Sequence, residues 1–161
     1  MTKPLWAPWR LEYVQRADES DHCFFCAASS DGDPDDTLVV HRGSHAIVLL
    51  NKFPYASGHV MVAPLRHCGD LGGLSDDEAL DVHRLAVAAL RALAHTYEPD
   101  GYNLGWNIGR VAGAGVLDHV HLHVVPRWAG DTNFMPVLAD VKVLPEHLLE
   151  TRRKLSAVWP T

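Results

Sequence analysis

In the stretch "HVHLHVVP", residues 119–126, three histidines alternate with apolar residues. Successive side chains of a β-strand point to opposite faces, so the three histidines share one face and the apolar residues share the other. We therefore predict a strand that packs one face on the core and presents the other to a site. The histidines of that face are His119, His121 and His123.

Short apolar runs bounded by turn-forming residues predict the remaining strands. Gly43 and Ser44 separate the first two runs and predict a tight two-residue hairpin turn. Counting the histidine stretch, the sequence predicts about five strands. They are expected at 37–42, 45–50, 58–64, 101–107 and 119–126.

One segment carries a helical pattern, with Ser75 and Glu78 forming a capping box at its start. Apolar residues then repeat at helical spacing as far as Tyr97, which predicts an amphipathic helix over 75–97. A second helix is expected over 146–159. Strands grouped around one long helix indicate an α+β fold with a mainly antiparallel sheet and a C-terminal helix.

Length and charge narrow the possible functions. A chain of 161 residues that is 47% hydrophobic supplies one core, so we expect one domain over 1–161, with an N-terminal arm at 1–20 and a C-terminal extension at 129–161. The net charge of −6 argues against binding long nucleic acid. We find no apolar run long enough for a membrane span and no secretory signal pattern, so we expect a cytoplasmic protein.

Three interpretations of the histidines remain open from the residues alone. In the first, the histidines are hydrogen-bonded structural residues. In the second, all three bind one metal ion. In the third, one histidine is a nucleophile, and its neighbours orient it or contact the phosphate oxygens. At a rise of about 3.3 Å per residue His119 and His123 lie about 13 Å apart, which suits a single tetrahedral ion poorly. A neutral imidazole attacks phosphorus readily, and the glycine-rich stretch "IGRVAGAGVLD", 108–118, offers backbone N–H groups for phosphate oxygens. This favours the nucleophile.

These residues together resemble the histidine triad family of nucleotide-binding proteins. "HVHLHVVP" matches the family's signature, "NKFPYASGHVMVAP" at 51–64 resembles its strand and turn beside the nucleotide, and "NIGRVAGAG" resembles its phosphate loop. The flanking stretches "LWAPWR" and "PRWAGDTNF" resemble the diadenosine tetraphosphate phosphorylase-like branch. The resemblance implies a small-molecule nucleotide as substrate and a homodimer.

The resemblance also assigns roles to individual residues. It makes His121 the nucleophile that takes up a nucleoside monophosphate, and it places His123 on the phosphate. Asn51 would contact the ribose hydroxyls and Asn107 the phosphates. The phosphate loop would contribute Gly113, Ala114 and Gly115.

The chain departs from the family at one place. Many members carry a Ser or Thr shortly before the first histidine, whereas this chain has Gly115, Val116 and Leu117. Phosphorolysis and hydrolysis of a nucleoside phosphate anhydride therefore both remain open. Three other functions also remain open: a nucleotide-binding regulatory protein with little turnover, a nucleoside phosphoramidate hydrolase, and a zinc-dependent hydrolase that uses the histidines as ligands.

Cys23 and Cys26 have the spacing of a ligand pair in a zinc site, which supplies two of the four ligands that such a site needs. From the residues alone, a zinc site, a redox pair and two inert core cysteines are all open. Related proteins complete such a pair with two distant histidines, and by that resemblance we choose His67 and His119. A zinc ion held by four protein ligands would be structural, and the chemistry at His121 would need no metal.

Overall fold

The computed structural model describes residues 23–30, 33–131 and 146–160. The expected N-terminal arm lies outside these residues, as do residues 132–145 and 161 of the C-terminal extension. The described elements are α1 (Phe24–Ser29), α2 (Pro34–Thr37), β1 (Val39–Arg42), β2 (Ala46–Leu50), β3 (Val60–Pro64), α3 (Asp76–Tyr97), β4 (Gly101–Trp106), β5 (Leu122–Arg127) and α4 (Leu148–Ala157), with short 3₁₀ turns at Leu71–Gly73 and Arg110–Ala112.

The five strands form one sheet in the order β1-β2-β3-β5-β4, and every neighbouring pair is antiparallel. This confirms the predicted α+β fold with one long helix and a C-terminal helix. Strands β2 and β3 are buried along their whole length, while β4 is the most exposed strand. None of the helices in the described part of the chain combines the length and apolarity needed to cross a bilayer.

The alternation of side chains divides the interior into two apolar clusters, one on each face of the sheet. Helices α3 and α4 cover the first, which we call the helix face; it holds alternate residues of β2, β3 and β5 together with Leu93 and Leu155. The second cluster lies on the opposite face, beside the histidines, and includes Phe25 of α1 and Leu49 of β2. We call this the histidine face.

Helix α3 begins as predicted, with both hydrogen bonds of the Ser75–Glu78 capping box present. From the same helix, Asp81 reaches across to accept hydrogen bonds from the backbone N–H groups of His45 and Ala46. The register pairs Arg42 with Ile47, and the Gly43 N–H donates to the Ala46 carbonyl at 2.8 Å. The two-residue turn is therefore Ser44 and His45, one position later than the predicted Gly43 and Ser44.

The predicted strand at 119–126 is wrong in its first half. Strand β5 starts only at Leu122, and the backbone from His119 to His121 is irregular. One backbone hydrogen bond there joins Val120 N–H to the carbonyl of Cys68, outside the sheet ladder. His119 is thereby directed to a different set of partners from His121 and His123.

The sequence did not predict α1 or α2. Helix α1 has only six residues, too few for a helical period to be recognised, and isolated helices of that length are unstable. It is held at its C-terminal end by Arg42 of β1, whose guanidinium donates hydrogen bonds to the carbonyls of Ala28, Ser29 and Ser30. A cation at that end also complements the helix dipole. The cysteine pair is therefore part of a short helix anchored to the sheet.

Candidate active site and metal centre

The ring of His121 is fixed in one tautomer by the chain next to it. Its Nδ1 lies 2.8 Å from the carbonyl oxygen of His119, and a carbonyl only accepts hydrogen bonds. Nδ1 therefore carries the proton of the neutral ring, and Nε2 carries the lone pair. Within the described residues Nε2 makes no hydrogen bond. The geometry presents an unprotonated ring nitrogen, as a nucleophile requires.

Burial keeps this ring neutral. His121 is only 5% exposed, and desolvation lowers its pKa below the ordinary value, although the hydrogen bond to the His119 carbonyl raises it in part. The direction follows from the cost of placing a charged imidazolium in an apolar surrounding. At neutral pH the ring is therefore mostly in the form that attacks phosphorus.

His123 is held in the opposite tautomer by His59, which precedes β3. The backbone N–H of Tyr55 donates to His59 Nδ1 at 3.0 Å, so the proton of His59 lies on Nε2. That Nε2 lies 2.9 Å from His123 Nδ1 and donates to it. The proton of neutral His123 therefore lies on Nε2. His121 and His123, whose rings meet edge to face at 4.9 Å, thus present a lone pair and an N–H donor side by side.

The predicted strand at 58–64 includes position 59, to which the sequence assigned no role in the site. The structure shows that His59 Nε2 is hydrogen-bonded to His123 Nδ1. No periodic signal marked this contact, since β3 is buried along its whole length and does not alternate. Gly58 before His59 adopts a φ of +78°, and a Cβ there would lie 2.8 Å from Leu93 Cδ2 on α3. Only glycine fits this approach.

The two asparagines assigned to the nucleotide lie at the ends of β2 and β4. Asn51 Oδ1 accepts a hydrogen bond from the backbone N–H of Phe53 at 2.8 Å, which leaves its amide NH₂ group as the donor for a ligand. Asn107 places its side-chain Nδ2 3.4 Å from His123 Nε2, and a proton on that Nε2 requires the amide to turn its Oδ1 toward the ring. The structure therefore brings Asn107 next to the histidine pair, and it places Asn51 beside the exposed Phe53.

The phosphate loop forms a 3₁₀ turn between two glycines with positive φ, Gly109 at +83° and Gly113 at +86°. Backbone N–H groups of Gly113 and Ala114 donate to carbonyls of the same loop, to Arg110 and Gly109 respectively. Phosphate binding by these two groups would require them to share those bonds. The predicted roles of Gly113, Ala114 and Gly115 remain predictions.

The four predicted metal ligands form one cluster. The ligand atoms of Cys23, Cys26, His67 and His119 all lie within 4.8 Å of one another, although 96 positions separate the first from the last. Cys23 Sγ lies 3.2 Å from His119 Nδ1, and Cys26 Sγ lies 3.3 Å from His67 Nδ1 and 3.7 Å from His119 Nδ1. Neither His121 nor His123 belongs to the cluster, so the described residues do not form a site that shares one ion among the triad.

The donor set and its spacing fit zinc. Tetrahedral ligands at zinc bond lengths, about 2.3 Å to sulfur and about 2.0 to 2.1 Å to nitrogen, lie roughly 3.3 to 3.8 Å from one another. His119 Nε2 lies 2.9 Å from the carbonyl of Pro64, so Nε2 is protonated and Nδ1 offers its lone pair to the cluster. Burial, followed by the neighbouring Cys23 sulfur, raises the pKa of the Cys26 thiol, and a bound cation would stabilise the thiolate instead.

Comparison with known proteins places the chain among relatives of the same architecture. The HIT domain model matches residues 34–130. An AP-4-A phosphorylase of Mycobacterium tuberculosis is 35% identical over 162 residues, which cover 96% of this chain and 83% of the relative.

Solved structures of similar fold include further histidine triad proteins. A Zn-bound histidine triad family protein from Mycobacterium smegmatis superposes with a TM-score of 0.67 at 27% identity, covering 84% of this chain and 91% of the other. A HIT family protein from Bacillus anthracis gives a TM-score of 0.60 at 26% identity, covering 86% and 93%. With the family model spanning more than half of its length, this chain belongs to the HIT domain family.

Proposed function

We propose that this protein is a nucleotidyl transferase or hydrolase that cleaves a nucleoside phosphate anhydride through a covalent nucleotidyl intermediate on His121. The observation that carries the proposal is the pair of opposite tautomers: His121 offers a lone pair on Nε2, while His123 offers an N–H beside it. A phosphoryl group needs both, a nucleophile for phosphorus and a donor for its oxygens.

In the first step the His121 Nε2 lone pair forms a bond to the phosphorus of the nucleoside monophosphate unit. The bond from that phosphorus to the bridging oxygen breaks, and the rest of the phosphate chain leaves with the electron pair. The Nδ1 proton stays on the ring and remains hydrogen-bonded to the His119 carbonyl, which stabilises the cationic phosphoramidate. In the second step water or inorganic phosphate attacks the phosphorus, and the bond to Nε2 breaks with its electron pair returning to the His121 ring. When water is the acceptor, its proton is released to solvent.

The substrate class we propose is a dinucleoside polyphosphate such as diadenosine tetraphosphate. Support comes from the M. tuberculosis relative, whose name specifies AP-4-A phosphorylase and which aligns with nearly the whole chain. In this proposal Asn51 donates its amide N–H to a ribose oxygen. Asn107 and the loop of Gly113, Ala114 and Gly115 contact the phosphates, and His123 donates to the oxygens of the reacting phosphoryl group.

We also propose a structural zinc ion held by Cys23, Cys26, His67 and His119. All four tetrahedral positions are then filled by protein, which leaves none for a substrate, so the ion supplies stability and no chemistry. We expect one zinc per chain by elemental analysis, and we expect its removal by a chelator to lower the melting temperature. Zinc bound equally by the wild type and Cys26→Ser would contradict this site.

The decisive experiment is the intact mass of the protein after brief incubation with diadenosine tetraphosphate, with an alkaline quench that preserves a phosphoramidate. The wild type should gain the mass of one nucleoside monophosphate, and His121→Ala and His121→Asn should gain none. Adding inorganic phosphate then identifies the acceptor: a nucleoside diphosphate product indicates phosphorolysis, and a monophosphate product indicates hydrolysis.

A wild type that gives neither adduct nor product across a panel of nucleotides would overturn the proposal. Retained nucleotide affinity in that case would point to a binding protein with little turnover. Turnover that survives in His121→Asn but stops when zinc is removed from a chain that stays folded would point to a zinc-dependent hydrolase.

We further propose that the protein is a homodimer in the cytoplasm. The two edges of the sheet support a dimer. At one edge α4 covers β1, where Arg152 and Ser156 donate to the carbonyls of Val39 and Val40. At the other edge nothing in the described residues pairs with the outer side of β4, and Leu104 is 46% exposed. Open edges pair readily with a second chain.

Sedimentation equilibrium should give twice the chain mass, and Leu104→Lys should shift the equilibrium toward the monomer. A monomer at all concentrations would refute the dimer. The cytoplasmic location is supported by three unpaired cysteines, since thiols that bind a metal persist in a reducing compartment.

A further inference from the structure

Phe25 lies between Cys23 and Cys26 in sequence, and its ring contacts those of His119 and His121. It is 1% exposed, and its ring centroid lies 4.8 Å from that of His121 and 5.0 Å from that of His119. The mechanism proposed above does not use this side chain. Within the described residues, it is the apolar ring that contacts both a cysteine-cluster ligand, His119, and the proposed nucleophile, His121.

In the part of the chain that the structure describes, three contacts fix the position of the His121 ring. The His119 carbonyl fixes Nδ1, the edge of His123 meets the ring at 4.9 Å, and Phe25 lies against the ring with planes inclined by 32°. The first two contacts come from the same segment of chain as His121 itself. Phe25 comes from elsewhere, and so it is the contact that ties the ring to a separate part of the fold.

Helix α1, which carries Phe25, is fixed at both ends. At its start Cys23 Sγ lies 3.2 Å from His119 Nδ1, and within it Cys26 Sγ lies 3.3 Å from His67 Nδ1. At its end the Arg42 guanidinium binds the last carbonyls. A six-residue helix has little stability of its own, so these attachments determine where Phe25 lies.

We propose that Phe25 is a positioning residue for His121, and that the Cys/His cluster acts on the nucleophile through it by fixing helix α1. This rests on the proposed function, in which His121 is the nucleophile. A metal ion bound by the cluster then contributes to reactivity from outside the site, because the ion holds the helix and the helix holds the ring. Small displacements of a reacting group are costly: about 1 Å can reduce the rate by about 100-fold.

The chain provides a matched control, since the neighbouring Phe24 has the same side chain on the same helix. Phe24 meets Phe25 edge-on at 5.5 Å, and within the described residues its only ring contact is that one. We therefore compare Phe25→Leu with Phe24→Leu. Phe25→Met serves as a second variant that keeps nearly the same apolar volume and protects the test against a folding defect.

The first measurement is the rate of adduct formation at increasing diadenosine tetraphosphate in single turnovers, normalised to the active fraction. For Phe25→Leu and Phe25→Met the maximum rate should fall about 10- to 100-fold, while the half-saturating concentration changes less than about threefold. Phe24→Leu should retain the wild-type rate. Equal rates for both positions, or a change confined to the half-saturating concentration, would refute a positioning role.

The second measurement tests the link to the cluster with a double-mutant cycle. Cys26→Ser alone should slow adduct formation, and in the Phe25→Leu background it should add little further loss, since the contact through which it acts is already gone. Fully additive losses would show that the cluster and Phe25 act separately.

The third measurement needs no turnover. The ring signals of His121, assigned in NMR spectra by their loss in His121→Asn, should move in Phe25→Leu and in chelator-treated wild type, but not in Phe24→Leu. If chelation leaves these signals unmoved in a chain that stays folded, the proposal is wrong. If the wild type forms no adduct while the signals respond as expected, the proposed function fails and the structural link stands.

Discussion

The helix face and the histidine face of the sheet are built from the same strands but differ in the side chains that they bury. On the helix face every member of the buried cluster is apolar, and two helices cover it. On the histidine face, His59, His119, His121 and His123 are all buried, and each has a hydrogen bond or ring contact to another group. The helix face stabilises the fold mainly by burying apolar surface, while the histidine face also buries polar groups in fixed orientations. Side chains one position apart on a strand thus serve stability and chemistry separately.

The largest expected effect is on activity alone. His121→Asn should reduce turnover by at least about 1000-fold, because the attacking nitrogen is lost, while the unfolding midpoint changes little. Turnover on a dinucleoside polyphosphate and denaturant unfolding measure the two quantities. A variant that remains active would show that His121 is not the nucleophile, and it would contradict the assignment of the chemistry to the histidine face.

The next largest effect is expected when the same substitution, leucine to alanine, is made on each face. Leu93→Ala on the helix face and Leu49→Ala on the histidine face both delete a fully buried leucine, and each should cost about 2 to 5 kcal/mol of unfolding free energy. Leu93→Ala should keep its activity per folded molecule, whereas Leu49→Ala should also lose activity, since its cluster includes Phe25. Equal activity in both variants would contradict the division.

His59→Gln should have an intermediate effect. The variant removes the imidazole that sets the tautomer of His123, and outer partners that orient a histidine typically contribute about 10- to 100-fold. We expect that loss in turnover, and we expect the His123 ring to shift toward the other tautomer in ¹⁵N NMR spectra. An unchanged tautomer would show that the His59 contact is structural.

The smallest effect concerns a charged pair beside the cluster. Arg66 and Glu78 form an ion pair with an N–O distance of 2.7 Å, and hydrogen bonds from Arg66, followed by the Ser75 backbone, lower the pKa of Glu78 from 4.5 to about 2. A carboxyl whose folded pKa is depressed stabilises the fold above pH 4.5, and this contribution is lost as the pH falls toward 2.

Glu78→Gln should cost about 1 to 3 kcal/mol at pH 7 and should remove this part of the pH dependence. Urea unfolding at pH 7, 4 and 3 measures both. Because Arg66 immediately precedes His67, the variant should also weaken zinc binding slightly. A pH profile identical to the wild type would show that other groups carry the acid sensitivity.

Local patterns predicted most of the fold, and for a physical reason. The apolar repeat of helix α3 matches its buried face, and short apolar runs between turn-forming residues marked β2 and β3, which are buried along their whole length. The errors fall where tertiary contacts override the local pattern. Asp81 binds backbone N–H groups of the hairpin turn, which lies one residue later than predicted, and Val120 bonds to Cys68 instead of joining the sheet. Neither partner can be identified from the residues next to it in sequence.

The candidate site follows a similar division. The histidines, the asparagines and the cysteine pair were identified by residue type and by resemblance, and the structure brings the four proposed metal ligands together. The tautomers of His121 and His123 were not predictable, since they depend on a carbonyl and on an imidazole 64 positions away. The same applies to Phe25, whose contacts cross 94 to 96 positions of sequence.

The distance along the chain between the cluster's ligands also has a consequence for biosynthesis. Cys23 and Cys26 leave the ribosome early, but His119 is made 96 positions after Cys23. Its approach also requires β3 and β5 to be paired, and contacts this distant in sequence form slowly. A tetrahedral metal site therefore cannot assemble on the nascent N-terminal half. If the cluster binds zinc as we propose, metal loading follows the pairing of β3 with β5, and a bound ion marks a chain whose sheet has already formed.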